Sequence, residues 1–169
     1  MLDRGDFWSP AADALAGIDT PRLRVRLLPA LAQLMISGDL GKALAQQGLS
    51  GTIGLMEEAQ GEVYMVRLAR NRALLVGQAA SAEASGYADG LASTPMTGAL
   101  AVLELSGPNS FEAVQRASAI DFRKASPCAA LNFAGVTSIL YRKGDVLRLH
   151  LDRGLVPYMM DWLRSCGAA

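Results

Sequence analysis

The sequence has few of the residues from which metal, redox or disulfide sites are built. Its 169 residues include one His and two Cys, Cys128 and Cys166, which lie far apart. Zinc sites of the usual kind need four ligands, and a disulfide framework needs several paired cysteines. We therefore expect no metal site and no disulfide in this chain. With no signal peptide at its start, we also expect a reducing, cytoplasmic location.

Charge of one sign and long apolar runs are also absent. The 16 Lys and Arg balance the 16 Asp and Glu, so there is no basic surplus to bind nucleic acid or an anionic membrane surface. No apolar run reaches the roughly 18 residues that a membrane-spanning helix needs. Hydrophobic residues make up 51% of the chain and charged residues only 19%. This low charge predicts that a partner covers part of the surface.

An internal repeat organises the sequence. Leu31–Gly38 and Leu100–Gly107 share the same apolar spacing, and both close in Ser-Gly. A helix is predicted after each copy, over 40–47 with Asp39 as its cap and Gly48 at its end, and after Asn109 with Glu112 completing a capping box. Because a repeat constrains the whole architecture, the two halves should share one topology.

A β-hairpin is predicted beyond each of these helices. The first joins 63–69 to 73–76, and the second joins 136–141 to 146–151 across a polar turn that contains Gly144. Alternation in 146–151 predicts one face buried and one face in water. Apolar spacing predicts a last helix over 155–166, with a weaker counterpart over 81–91.

These patterns predict an α+β fold. We expect two pseudo-symmetric βαββα units, with mainly antiparallel sheets and helices packed on them. Residues 1–27 should form an N-terminal arm that ends in an edge strand over 22–27. Residues 28–169 should form a single domain, with repeat halves at about 28–92 and 95–166.

The side chains that could carry catalysis do not form a convincing constellation. His150 and Asp152 share one face of a strand, where a carboxylate could fix the tautomer of a histidine base. No nucleophile is linked to them by any motif, so a solvated ladder of polar side chains is the favoured interpretation. Cys128 is similarly interpreted as a packed thiol. We therefore predict no catalytic residue in this chain.

Three residues are candidates for a partner interface. Glu104 interrupts an apolar strand between Leu103 and Leu105, which favours a face open to solvent or to another subunit. Trp8, in the arm, and Trp162, on the last helix, are aromatic anchors of the kind that concentrate at binding hot spots.

The second half carries a succession of motifs similar to those of a known family. A strand closing in Ser-Gly-Pro is followed by a helix, an apolar-Asp-aromatic step, a Ser-Pro-Cys segment and an aromatic-rich helix that includes Trp-Leu; these are Gly98–Pro108, Ala119–Phe122, Ser126–Ala130 and Tyr158–Leu163. This order and spacing resembles the gamma subunit of heterotetrameric sarcosine oxidase over roughly residues 95–166, and more loosely from about residue 28.

The resemblance implies a fold related to the folate-binding aminomethyltransferases, which are built from pseudo-symmetric units. It implies a non-catalytic subunit in a bacterial complex that oxidatively demethylates sarcosine or a related N-methyl amino acid. FAD, FMN, NAD and tetrahydrofolate are expected in the alpha, beta and delta partner subunits, and no cofactor in this chain. Isolated from those partners, the chain could pair with itself. Two alternatives are a stand-alone module that binds folate between its repeats and an independent enzyme.

Overall fold

The computed structural model describes residues 16–77, 85–121, 124 and 126–167. The strands within these residues are β1 (Ile18–Asp19), β2 (Arg24–Leu27), β3 (Gln33–Gly38), β4 (Tyr64–Ala69), β5 (Arg72–Val76), β6 (Gly86–Ala88), β7 (Leu91–Pro95), β8 (Leu100–Ser106), β9 (Ala130–Phe133), β10 (Val136–Lys143) and β11 (Val146–Asp152). The helices are α1 (Leu40–Gln47), α2 (Ser110–Ala117) and α3 (Val156–Gly167), the last preceded by a 3-10 turn (Arg153–Leu155). None of these helices has the length and apolar character needed to cross a bilayer.

The strands form two antiparallel sheets, so the predicted α+β class is confirmed. Sheet A has the order β1-β2-β8-β11-β10-β9, and sheet B has the order β4-β5-β3-β7-β6. The outer face of sheet A packs against α2 and α3, and the outer face of sheet B packs against α1. The inner faces of the two sheets pack against each other. The layers are therefore helix, sheet, sheet and helix.

This layering corrects the predicted wet face of the 146–151 strand. Leu147, Leu149 and Leu151 pack under the helices, as the alternation predicts. The opposite face is covered by sheet B, and His150 on that face is completely buried. Alternation identifies two different faces, but it cannot tell water from a second sheet when polar residues line the sheet interface.

The two halves share one strand topology, as the repeat predicts. In the first half, β3 leads through α1 to the β4–β5 hairpin and pairs with β5. In the second half, β8 leads through α2 to the β10–β11 hairpin and pairs with β11. Each sheet therefore contains a three-stranded unit from one repeat, and sheet A has the additional strand β9 beside β10.

Each sheet is completed by a hairpin that lies outside its three-stranded unit. The β1–β2 hairpin precedes the first repeat but pairs with β8 of the second. The β6–β7 hairpin precedes the second repeat but pairs with β3 of the first. This exchange joins the halves through main-chain hydrogen bonds as well as through the packing between the sheets.

The repeated Ser-Gly sequence lies at the ends of β3 and β8, where the β6–β7 and β1–β2 hairpins come close to them. Gly38 and Gly107 both have positive φ values, 135° and 97°. A Cβ atom on Gly38 would lie 2.4 Å from the carbonyl oxygen of Gly90, and one on Gly107 would lie 2.7 Å from that of Arg22. Gly90 directly precedes β7, and Arg22 lies two residues before the start of β2. Glycine is therefore required at both positions by backbone conformation and by space.

The predicted helix ends are partly confirmed. The Asp39 side chain accepts hydrogen bonds from the backbone N–H groups of Gly41 and Lys42, at 2.9 and 3.2 Å, and Gly48 ends α1 in the left-handed conformation. Asn109 precedes α2 but makes no side-chain capping bond. Glu112 instead pairs with an arginine one turn later, 2.6 Å away, so the predicted capping box is wrong.

Two other predicted elements differ from the structure. The weak helix predicted over 81–91 lies partly in 78–84, outside the described residues, and its remainder belongs to the β6–β7 hairpin. The edge strand predicted over 22–27 is β2, but β1 pairs with its outer side and forms the edge of the sheet. In both cases a short strand pairs with the next strand along the chain, β1 with β2 and β6 with β7, and becomes an edge of its sheet.

Candidate functional site

A row of polar side chains crosses the inner face of sheet A. The strand register places Arg26 opposite Glu104, Glu104 opposite Arg148, and Arg148 opposite Tyr141. These residues come from four neighbouring strands, β2, β8, β11 and β10, and all four side chains project towards the same face. Together with Tyr64, His150 and Gln33, which continue the row inwards, they form a connected hydrogen-bonded set that we call the polar ladder.

Glu104 is the charged centre of the ladder. Its carboxylate accepts a hydrogen bond from Arg26 at 2.6 Å and two from Arg148, from Nε at 3.1 Å and from Nη2 at 2.9 Å. Burial raises the pKa of Glu104, but the hydrogen bonds and charges of the two arginines outweigh it and lower the pKa below its usual value. The carboxylate is therefore ionised and held from two sides.

The inner part of the ladder links the two sheets. Arg148 Nη1 donates to the Tyr64 hydroxyl at 2.8 Å, and this hydroxyl lies 2.8 Å from that of Tyr141. The Tyr141 hydroxyl lies 2.7 Å from His150 Nε2, and His150 Nδ1 lies 2.7 Å from Gln33 Oε1. Tyr64 and Gln33 belong to sheet B, so the chain of bonds crosses the sheet interface three times.

The hydrogen bonds in the inner part of the ladder all run in one direction, with donors pointing from Arg148 towards Gln33. Burial, with the nearby charge of Arg148, lowers the pKa of His150 to about 3, so the ring is neutral near neutral pH. Gln33 Nε2 donates to a backbone carbonyl, which leaves its Oε1 to accept from His150 Nδ1. We therefore assign His150 Nε2 as the acceptor of the Tyr141 proton, and Tyr141 as the acceptor of the Tyr64 proton. Burial also raises the pKa of Tyr141, so this hydroxyl keeps its proton.

This arrangement excludes the His150 and Asp152 pair that the sequence suggested. Both ring nitrogens of His150 are occupied, and neither bond goes to Asp152. The Asp152 carboxylate instead accepts from the Gly154 N–H at 2.8 Å and caps the 3-10 turn. Residues two apart on a strand share a face, but this strand ends at Asp152, where the side chain turns to its own backbone.

The other predicted candidates lie apart from the ladder. The Cys128 thiol is half-buried and donates to the Leu68 carbonyl at 2.7 Å. Burial raises the pKa of the Cys166 thiol. Trp162 is partly buried, with its ring edge-on to Phe133 at 5.8 Å between centroids. Trp8 lies outside the described residues. Among the described residues, no group of three or more His, Cys, Asp or Glu could hold a metal ion.

Glu104 is the one candidate for a partner interface that belongs to the ladder, and its side chain is less open than the sequence predicts. Only 11% of its side chain is exposed, because two arginines cover it. Its partners were missed because strand register, which sequence does not specify across four strands, brings them together. One available signal was the repeat itself, which aligns Glu104 with Met35 and so marks a charge where the other half is apolar.

The equivalent row of sheet B has no charges. Register places Met35 between Thr94 and Leu74, and Leu74 opposite Val66. Thus Thr94, Met35, Leu74 and Val66 occupy the places that Arg26, Glu104, Arg148 and Tyr141 occupy in sheet A. The duplicated fold packs one of its two rows with almost entirely apolar side chains. The charged row is therefore a property of one half and not a requirement of the fold.

The exposed end of the ladder opens into a groove. The groove has a volume of about 590 Å³ and lies over β1, β2, β8 and the start of β11. The side chains that give it its character are Asp19, Arg24, Arg26, Glu104, Ser106 and Val146. Arg24 pairs with Asp19 at 2.9 Å, and both side chains are largely exposed. The ladder therefore joins a buried histidine to a charged groove at the surface.

Comparison with known proteins identifies the fold. No family model matches the chain, and no curated protein matches it. Among solved structures, it is similar to a chain of heterotetrameric sarcosine oxidase from Corynebacterium sp. U-96, which was determined in complex with pyrrole 2-carboxylate. The TM-score is 0.69 and the identity is 18%, and the match covers 92% of this chain and 90% of that chain. The protein therefore has a sarcosine-oxidase-like fold along nearly its whole length.

Proposed function

We propose that this chain is a non-catalytic subunit of a sarcosine-oxidase-like flavoenzyme complex, in the place of the gamma subunit. The observation that carries the proposal is the reciprocal coverage of the fold match, 92% and 90%. The match therefore extends over nearly all of both chains and is not confined to one part of either. The motif succession in residues 95–166 supports the same position in the complex.

The chemistry of the described residues supports a structural role. The sole histidine has both ring nitrogens hydrogen-bonded inside the protein, and burial lowers its pKa to about 3. A general base near neutral pH needs a higher pKa and a free nitrogen facing the substrate. His150 meets neither condition, so it stabilises the contact between the sheets.

Under this proposal, the alpha, beta and delta subunits hold FAD, FMN, NAD and tetrahydrofolate, and the complex demethylates sarcosine or another N-methyl amino acid in the cytoplasm. The groove of this chain offers no free carboxylate to a pterin ring. A pterin offers amino and ring N–H donors that a free carboxylate would accept, but Asp19 and Glu104 are both paired with arginines. In this proposal, this chain takes no part in the chemical steps of the reaction.

Co-expression tests the proposed function. The chain is produced with alpha, beta and delta subunits of a sarcosine oxidase from its own genome, with an affinity tag on this chain only. We expect a flavin-containing complex that consumes oxygen when sarcosine or another N-methyl amino acid is added. In a matched culture that omits this chain, and therefore carries no tag, size-exclusion chromatography of the cell extract should show less assembled complex. Full assembly and activity without it would contradict the proposal.

A titration tests the alternative of a stand-alone folate module. Tetrahydrofolate at about a hundred times its dissociation constant would raise the free energy of unfolding by about 2.7 kcal/mol. We expect the isolated chain to show no such stabilisation. A saturable increase in melting temperature would instead favour the folate module.

A further inference from the structure

We propose that the groove at the Arg26 end of the polar ladder binds a small organic molecule that carries one carboxylate group. This inference concerns a ligand site on this chain alone, so it does not depend on the proposed role as a subunit. It rests on three features: a charged row where the other half is apolar, converging hydrogen-bond donors in the groove, and one positive charge in excess when Arg148, behind Glu104 in the ladder, is counted with the charged residues of the groove.

The comparison of the two halves indicates that the charges serve something other than packing. A partly buried ion pair contributes little net stability compared with apolar side chains of similar size, because both charges lose their hydration. Sheet B shows that the same position in this fold accepts Met35 and Leu74 where sheet A has Glu104 and Arg148. Recognition of a polar ligand at the exposed end of the row explains why one half differs.

The donors of the groove lie on one surface. Arg24 and Arg26 are alternate residues of β2, so their side chains project from the same face of the strand. Ser106 lies opposite Arg24 on β8 and adds a hydroxyl, and Val146 supplies an apolar wall. The two arginine side chains are 70% and 74% exposed, so their remaining N–H groups face the groove. Arginine's planar fork of donors suits the two oxygens of a carboxylate.

The balance of charge selects a monoanion. At the groove, Arg24 and Arg26 carry two positive charges and Asp19 and Glu104 carry two negative charges. Arg148, which lies behind Glu104 and does not line the groove, adds a third positive charge to this cluster. One added negative charge neutralises the cluster, whereas a dianionic phosphate would exceed it and would lie beside two carboxylates. The volume of about 590 Å³ is within the range of roughly 300 to 1,000 Å³ that is usual for small-molecule sites. There is room for an apolar body beyond the carboxylate.

The test uses the full isolated chain with benzoate as the probe and benzamide as its uncharged counterpart. Binding is followed by calorimetry and by the arginine side-chain signals in NMR spectra. We expect benzoate to bind saturably to the wild type and benzamide not to bind. Arg26→Gln should weaken benzoate binding by about tenfold or more, because a charge-assisted hydrogen bond is lost. Arg70→Gln, at an exposed turn of sheet B, is the matched control and should leave binding unchanged.

A second variant gives a change of opposite sign. Asp19→Asn releases Arg24 and removes a negative charge from the rim, so benzoate should bind about two- to fivefold more tightly. Because both side chains are exposed, unfolding midpoints should stay close to the wild type and so separate binding from folding. Absence of saturable benzoate binding, equal binding by Arg26→Gln, or tighter binding of inorganic phosphate than of benzoate would overturn the proposal.

Discussion

Acidification should destabilise this protein through one residue. The chain has a single histidine, His150, which is completely buried and neutral in the folded state with a pKa of about 3. In the unfolded chain its pKa should return to 6.5. Below this value the unfolded state binds a proton that the folded state does not bind, so stability falls with pH until the folded pKa is reached.

The size of the effect follows from the two pKa values. Between about pH 7.5 and about pH 5, the difference in proton binding amounts to about 2 kcal/mol of unfolding free energy. Glu104 is a carboxyl group whose pKa is lowered in the folded state. Its contribution to the free energy of unfolding is therefore lost mainly below about pH 5. The interval above about pH 5 therefore reports chiefly on His150.

Urea unfolding at the two pH values measures this loss, with tryptophan fluorescence as the signal. His150→Gln keeps a polar side chain that does not titrate, so its unfolding free energy should be lower at about pH 7.5 but nearly independent of pH down to about pH 5. The wild type should lose about 2 kcal/mol over the same interval. An equal pH dependence in the two proteins would refute the assignment of a buried, neutral His150.

Substitutions at three places, Gly107, Asp39 and Glu104, test the fold and the ladder, and the free energy of unfolding is measured with urea at neutral pH in each case. Gly107→Ala should lower the free energy of unfolding by about 3 kcal/mol, because the added methyl group meets a backbone carbonyl. The control Gly135→Ala, at a positive φ but in open space, should lower it by about 1 kcal/mol. Equal losses would contradict the explanation that the nearby Arg22 carbonyl requires glycine at position 107. Asp39→Ala should cost about 1 kcal/mol through loss of the α1 cap, and no loss would show that the cap is not needed. Glu104→Met should lower the free energy of unfolding by about 3 kcal/mol, because it leaves Arg148 without its carboxylate partner. Adding Arg148→Leu should restore most of this loss, since the two positions then carry the same residues as in sheet B. A double variant less stable than the single one would contradict the comparison of the halves.

Local patterns in the sequence were sufficient to predict the repeated units. The Ser-Gly endings, the Asp39 cap and the alternation along 146–151 each report on a few neighbouring residues, and the structure confirms the strands, the helix and the hairpin that they predict. Helix caps and strand alternation depend only on residues that are close together in the sequence, so a single sequence is enough to predict them.

The exchange of hairpins and the polar ladder could not be predicted in the same way. Nothing near Arg26 in the sequence indicates that its strand pairs with β8, which lies 78 residues further along at Glu104. The burial of His150 likewise depends on sheet B covering a face whose own pattern resembles a solvated one. Long-range register decides both features, and a single sequence carries little information about it.

The proposed function makes this chain an integral subunit of a larger oxidase. Native mass spectrometry of the complex purified through a tag on this chain tests it most directly. We expect a fixed stoichiometry with the alpha, beta and delta chains and with bound flavin. A lone monomer or a homodimer of this chain, beside an oxidase that is complete without it, would contradict the claim.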